Sequence, residues 1–139
     1  MKSFMEDNLN KAKINPKKIV LVEGEDERVI EAASLAYQQG IAKPILVGSY
    51  DKIKEKAESR KIDLTGVEIV EPLQHTKFQE YVEFYTKMRG LRERIVKKLL
   101  SKPLNYGLMM VKIGDADGAI GGTVYTSAEF IAAAELIVG

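Results

Sequence analysis

Three short apolar runs, separated by helix-like patterns, constrain this chain more than any other feature. Lys18–Val22 reads KIVLV, Pro44–Gly48 reads PILVG and Val67–Val70 reads VEIV. All three read as strands, and the first, a β-branched run bounded by charge, suits a strand buried on both faces. Pro44 is tolerated at a first strand position, where a missing N–H breaks no ladder bond. Between the first two runs, Asp26–Gln39 carries Val29, Ala33 and Ala36 at helical spacing, with Ile30 and Tyr37 beside them. Gly40 then stands where a helix is commonly terminated. A charged, peripheral helix over Asp51–Arg60 leads to the third run. Strand–helix–strand–helix–strand favours a parallel sheet with right-handed crossovers. The expected fold class is α/β, a three-layer α/β/α arrangement around a mostly parallel sheet.

The second half is helical. Phe78, Tyr81, Val82, Tyr85 and Met88 form one apolar stripe, and Leu91, Ile95 and Leu99 form another. Tyr106, Met109, Met110 and Ile113 repeat the i, i+3, i+4, i+7 spacing and predict a third helix. A short strand near Ala119–Ile120 follows the DADG turn, and Thr126 opens a last helix. Met5, Leu9 and Ala12 suggest a short amphipathic helix before Pro16. No repeat or linker divides residues 1–139, which are enough for one domain with a core of its own.

Composition mainly excludes. A net charge of +1 offers no global field for nucleic acid or an anionic membrane. With no cysteine there is no disulfide, thiol nucleophile or thiolate metal site. One histidine, His75, cannot build a His-rich metal site, and its place after EPLQ reads as a solvent-exposed turn. The opening MKSFMEDNLN carries two early acids and no apolar core, unlike a secretory signal. These features read as a cytoplasmic protein with no membrane span, no metal and no tightly bound cofactor.

Two segments compete as anion sites. In VEGEDER, Val22–Arg28, a single glycine falls short of the three that a dinucleotide fingerprint needs. Glu25, Asp26 and Glu27 would also repel phosphate, so the segment reads as a charge-capped helix start. GDADGAIGGTVYTSAEF, Gly114–Phe130, differs: Gly121 and Gly122 leave the backbone unshielded, and Thr126 and Ser127 place hydroxyls at a helix start. Thr126–Glu129 also fits a capping box, which accounts for the Thr and the Glu. The glycine pair fits either an anion site or close packing. Asp115 and Asp117 read as turn formers. The basic set Arg89, Arg92, Arg94, Lys97, Lys98 and Lys102 reads as a solvated helix face, from which Arg89 could meet a phosphate.

Lys18–Gly48 and Tyr106–Phe130 together resemble the opening and central blocks of the phosphate acetyl/butyryl transferase family. The first holds E-G-x-D-x-R and then G-I-A-x-P-I-L-V-G; the second holds M-M-V-K-x-G-x-A-D-G and a Thr/Ser pair. The resemblance implies acyl transfer between coenzyme A, used as a substrate, and inorganic phosphate. It implies the first domain of a two-domain acyltransferase, commonly dimeric, with its site in the interdomain cleft. Gly121, Gly122, Thr126 and Ser127 are then expected to bind acyl phosphate or phosphate, with Arg89 near the place of an active-site arginine.

The departures from that pattern are specific. Gly121 replaces a serine and Tyr125 a frequent histidine, and Ala132–Ala133 stand where the family has Arg-Pro. A charge-assisted contact of the lost kind contributes about 1.5–3 kcal/mol. Family members are longer, and their second half carries the residues assigned to thiol activation and the tetrahedral intermediate. The chain is accordingly expected to be a truncated transferase, inactive or weak alone. The alternatives are a non-catalytic module binding CoA or a phosphorylated metabolite, one half of a split enzyme, or, less readily, the transferase-like domain appended to some malic enzymes.

Overall fold

The computed structural model describes residues 11 and 13–139. The helix expected on Met5, Leu9 and Ala12 lies outside them. Within them, the KIVLV run becomes β1 (Lys17–Leu21), one of the two inner strands of a four-stranded, all-parallel sheet. The other strands are β2 (Ala42–Val47), β3 (Glu68–Val70) and β4 (Gly118–Ile120), in the spatial order β3-β2-β1-β4. Leu21 is in register with Leu46 on one side and Ile120 on the other.

Among the described residues the sheet is covered by α1 (Glu27–Gln38), α2 (Tyr50–Ser59), α3 (Phe78–Arg89), α4 (Glu93–Leu100), α5 (Pro103–Ile113) and α6 (Ser127–Ile137). On one face α1 and α2 bury Ile30, Ala33, Ile53 and Ala57 against Leu46. On the other, helices α3 to α6 gather around Val20, Val22, Ile45, Val47 and Val70. Alternate strand residues thus feed opposite cores, as the pleat requires. The expected α/β class, with helices on both faces of a parallel sheet, is what forms.

The larger core is built on three fully buried tyrosines, and each hydroxyl has a partner. Tyr81 donates to the Asp115 carboxylate, Tyr85 donates to the Leu136 carbonyl at 2.7 Å, and Tyr106 meets His75 Nδ1 at 2.5 Å. Matching the polar tip is what lets a large aromatic stay buried. Gly107 brings α5 onto β1: a Cβ there would come within 2.6 Å of the Val22 side chain and 2.8 Å of Val20.

Two expected stripes shift. In α4 the buried residues are Val96 and Leu100, whereas Ile95 is exposed and Leu91 and Leu99 pack only at the core's margin. In α3, Met88 is exposed while Tyr81, Val82 and Tyr85 go inside. The core-facing side is set by packing around α5, whose Tyr106 ring lies 5.1 Å from that of Tyr81. Gly90 closes α3 in the left-handed conformation, with φ 66°.

Candidate functional site at the carboxyl edge of the sheet

From β1 the chain crosses to β2 and β3 on one side, while β4 lies on the other. The carboxyl ends of β1 and β4 therefore flank a topological switch point, where open parallel sheets usually leave a ligand crevice. Here the crevice is set by two neighbouring loops. After β1, Gly24 donates its N–H to the Val47 carbonyl at 3.2 Å. A Cβ on Gly24 would fall 2.7 Å from that oxygen, so only glycine lets this loop press against β2. That approach fixes the preceding residue, Glu23, toward β4.

Glu23 is nearly buried, with 7% of its surface exposed. Its carboxylate receives four consecutive backbone N–H groups from the loop after β4. Oε1 accepts from Gly122 at 2.7 Å and Thr123 at 2.8 Å; Oε2 accepts from Val124 and, at 2.7 Å, from Tyr125. Burial pushes the Glu23 carboxyl up, but the amide bonds outweigh it and hold the group below the ordinary carboxylate range. The unshielded backbone read from the sequence as an anion site is thus already holding an anion, supplied by the chain itself.

The glycines after β4 have separate jobs. Gly122 adopts φ 115°, which turns its N–H into the cradle, and no atom lies within 4 Å of where its Cβ would be. At Gly121 a Cβ would meet the Phe130 ring and the Val22 side chain at 2.9 Å, so this position serves close packing. Thr126 then caps α6 as expected. It accepts from the Glu129 N–H at 3.1 Å, and Glu129 Oε2 accepts the Thr126 N–H at 3.2 Å. Ser127 is exposed beside it.

Arg89 does not join this group. Its Nη2 donates to the Leu136 carbonyl at 2.9 Å, and Lys112 Nζ donates to the Val138 carbonyl at 2.9 Å. Both cations hold the carboxyl end of α6, where they complement its dipole. Thr126 caps the opposite end, and a helix of this length spans about 16 Å at 1.5 Å per residue. Ala132 faces solvent and Ala133 is buried, and neither Arg89 nor Lys112 sits beside Thr126. The other basic residues of the set, Arg92, Arg94, Lys97, Lys98 and Lys102, are exposed.

Beside the Glu23 clasp opens a cleft of about 370 Å³, bordered by Val22, Glu25, Asp26, Lys56, Val124 and Tyr125. Lys56 is spoken for: its Nζ donates to the Glu25 carbonyl at 2.5 Å. Asp26 caps α1 and accepts the Arg28 N–H at 2.9 Å, so the charge-capped helix start forms as read. A second cleft, about 540 Å³, opens at the end of β3 beside Tyr50, Glu71 and His75.

His75 is a correction. Its ring is half-buried, edge-on to both Tyr81 and Tyr106, and not a solvent-exposed turn residue. Burial lowers its readiness to take a proton. Asp115 is likewise more than a turn former. It accepts from Tyr81 and pairs with Lys77 at 3.2 Å, whereas Asp117 ties its turn to β1 through the Lys18 N–H at 2.8 Å. Sequence reasoning missed Glu23. Its one available signal was the acid directly before Gly24, inside the E-G-x-D-x-R block.

An open parallel sheet with helices on both faces, and a glycine-rich loop and a capped helix at its switch point, defines an α/β protein. Residues 3–139 match the family described as "Phosphate acetyl/butaryl transferase", and the chain belongs to that family. It is 37% identical to the phosphate acetyltransferase of Thermoanaerobacterium thermosaccharolyticum over 98% of this chain and 42% of that protein. It is 40% identical to that of Acetivibrio thermocellus over 91% of this chain and 38% of the other. Among solved structures, the EutD phosphotransacetylase from Staphylococcus aureus superposes with a TM-score of 0.87 at 30% identity. That match covers 98% of this chain and 43% of the other. The chain therefore spans about two fifths of the length of these relatives.

Proposed function

We propose that this chain is the sheet-bearing first part of a phosphate acyltransferase, which moves an acyl group between acyl-CoA and inorganic phosphate. The observation that carries the reading is the family match over residues 3–139, joined to a loop and helix start at the sheet's switch point. Either direction of the reaction needs a positioned base and donors for the developing oxyanion. In this reading Gly121 and Gly122 shape the rim by their backbone, and Thr126 and Ser127 offer it hydroxyls. Arg89 contributes by holding the last turn of α6. The groups that activate the thiol belong to the portion of the family's length that this chain does not span. Coenzyme A is a substrate here, and the reaction belongs in the cytoplasm.

The test is CoA release from acetyl-CoA and phosphate by the purified 139-residue chain, paired with titration of CoA into it. The expected result is no turnover by the chain alone, and turnover when the matching region of the Thermoanaerobacterium thermosaccharolyticum enzyme is replaced by this chain. A well-folded chimera without activity would contradict the reading.

A second reading, one half of a split enzyme or of a homodimer, is favoured by one observation. Ile120, Val124 and Ile131 are each more than half exposed around β4 and α6. Apolar surface grouped in this way commonly marks a partner contact. Sedimentation of the chain with and without the complementary fragment of that relative tests it: a stable complex with the fragment, or a dimer of the chain alone, supports the second reading, and a monomer that ignores the fragment contradicts it.

A further inference from the structure

We propose that Glu23 is a positioning residue acting as a built-in anion, whose carboxylate fills the cradle of N–H groups from Gly122 to Tyr125 and keeps external phosphate out of it. Successive N–H groups pointing into one concavity make a nest that suits an anion. Here both carboxylate oxygens take two donors each, and the three bonds at 2.7–2.8 Å are short for N–H to oxygen, as charge-assisted bonds are. A dissolved anion would have to displace a group tethered beside the nest, which competes at the high effective concentration of an intramolecular ligand.

The surroundings reinforce the exclusion. Glu25 and Asp26, from the same turn as Glu23, border the adjoining cleft. Lys56 reaches in from α2 but is bonded to the Glu25 carbonyl, and Arg28 is engaged by Asp26 at 3.0 Å. Tyr125 also lines this cleft. The loop is thereby tied to the residue that follows Val22, and any anionic substrate must be met by its outer surface and not by these four amides. This concerns the unliganded chain and stands whether or not the acyltransferase reading holds.

Amide NMR of the 139-residue chain tests it, following Gly122, Thr123, Val124 and Tyr125 while inorganic phosphate and, separately, formate are added. In the wild type none of the four should shift with either anion. In Glu23→Ala, formate should move all four together and return part of the lost melting temperature. Glu23→Gln, which fills the space without charge, should gain no such response. Saturable shifts of these amides with phosphate in the wild type would overturn the proposal, as would a folded Glu23→Ala that ignores formate. Should Glu23→Ala not fold, the wild type decides through its pH titration as well. One shared midpoint for the four amides, below the ordinary carboxylate range, supports the proposal; separate midpoints, or none, refute it.

Discussion

The loops after β1 and β4 lie side by side and are opposite in character. The first is acceptor-rich, with Glu23, Glu25 and Asp26 around a single glycine; the second is donor-rich, with unshielded N–H groups from Gly122 to Tyr125. Considered separately, one would repel phosphate and the other would attract it. Placed together by the strand order β2-β1-β4, each satisfies the other through the Glu23 carboxylate. The lesson is that a nest of amides predicts an anion without predicting where that anion comes from.

The contrast can be broken most severely at its glycines. Gly24→Ala drives a methyl into the Val47 backbone, with contacts of 2.7 and 2.8 Å, and should cost about 3 kcal/mol in urea unfolding. Gly122→Ala meets no neighbour and strains only its own φ, so about 1–2 kcal/mol is expected. Equal losses at the two positions would mean that the β1 loop is not held against β2 as described.

Comparable in size is Glu23→Gln, which keeps the shape and one acceptor oxygen but turns the other into an NH2 group that faces two amide donors. A loss of about 2 kcal/mol at neutral pH is expected, since buried amides lose a charged partner. Thr126→Ala removes the cap of α6 and should cost about 1 kcal/mol by the same measurement. Smallest is Glu25→Gln. The Glu25 side chain accepts the Ser49 N–H at 3.0 Å and makes a loose 3.9 Å pair with the largely exposed Lys52, so about 0.5 kcal/mol is expected. A loss at Glu25 as large as at Glu23 would erase the distinction between rim charge and buried clasp.

The sheet was legible because its signals are local. KIVLV, PILVG and VEIV each announce a strand without reference to the rest, and Asp26 and Thr126 announce helix starts. Register within α4 was not legible, because Ile95 and Val96 are equally apolar and only the position of α5 chooses between them. The clasp was hidden for a related reason. Glu23 and Tyr125 are 102 positions apart in sequence, and nothing local distinguishes an acid that pairs across the fold from one that faces water. Arg89 shows the converse. Arginine suits phosphate in general, but here the nearest strong acceptors are the last carbonyls of α6.

Equilibrium unfolding of the wild type and Glu23→Gln, compared across the acid range, tests the internal anion most directly. Because Glu23 is held below its ordinary value in the folded chain, its contribution is complete above the unfolded carboxyl range near 4.5. It is lost as pH falls through the folded value. The wild type should therefore exceed Glu23→Gln in stability at neutral pH, and the two should converge as the medium turns acid. A stability difference that stays constant with pH would contradict an ionised Glu23 in the amide cradle.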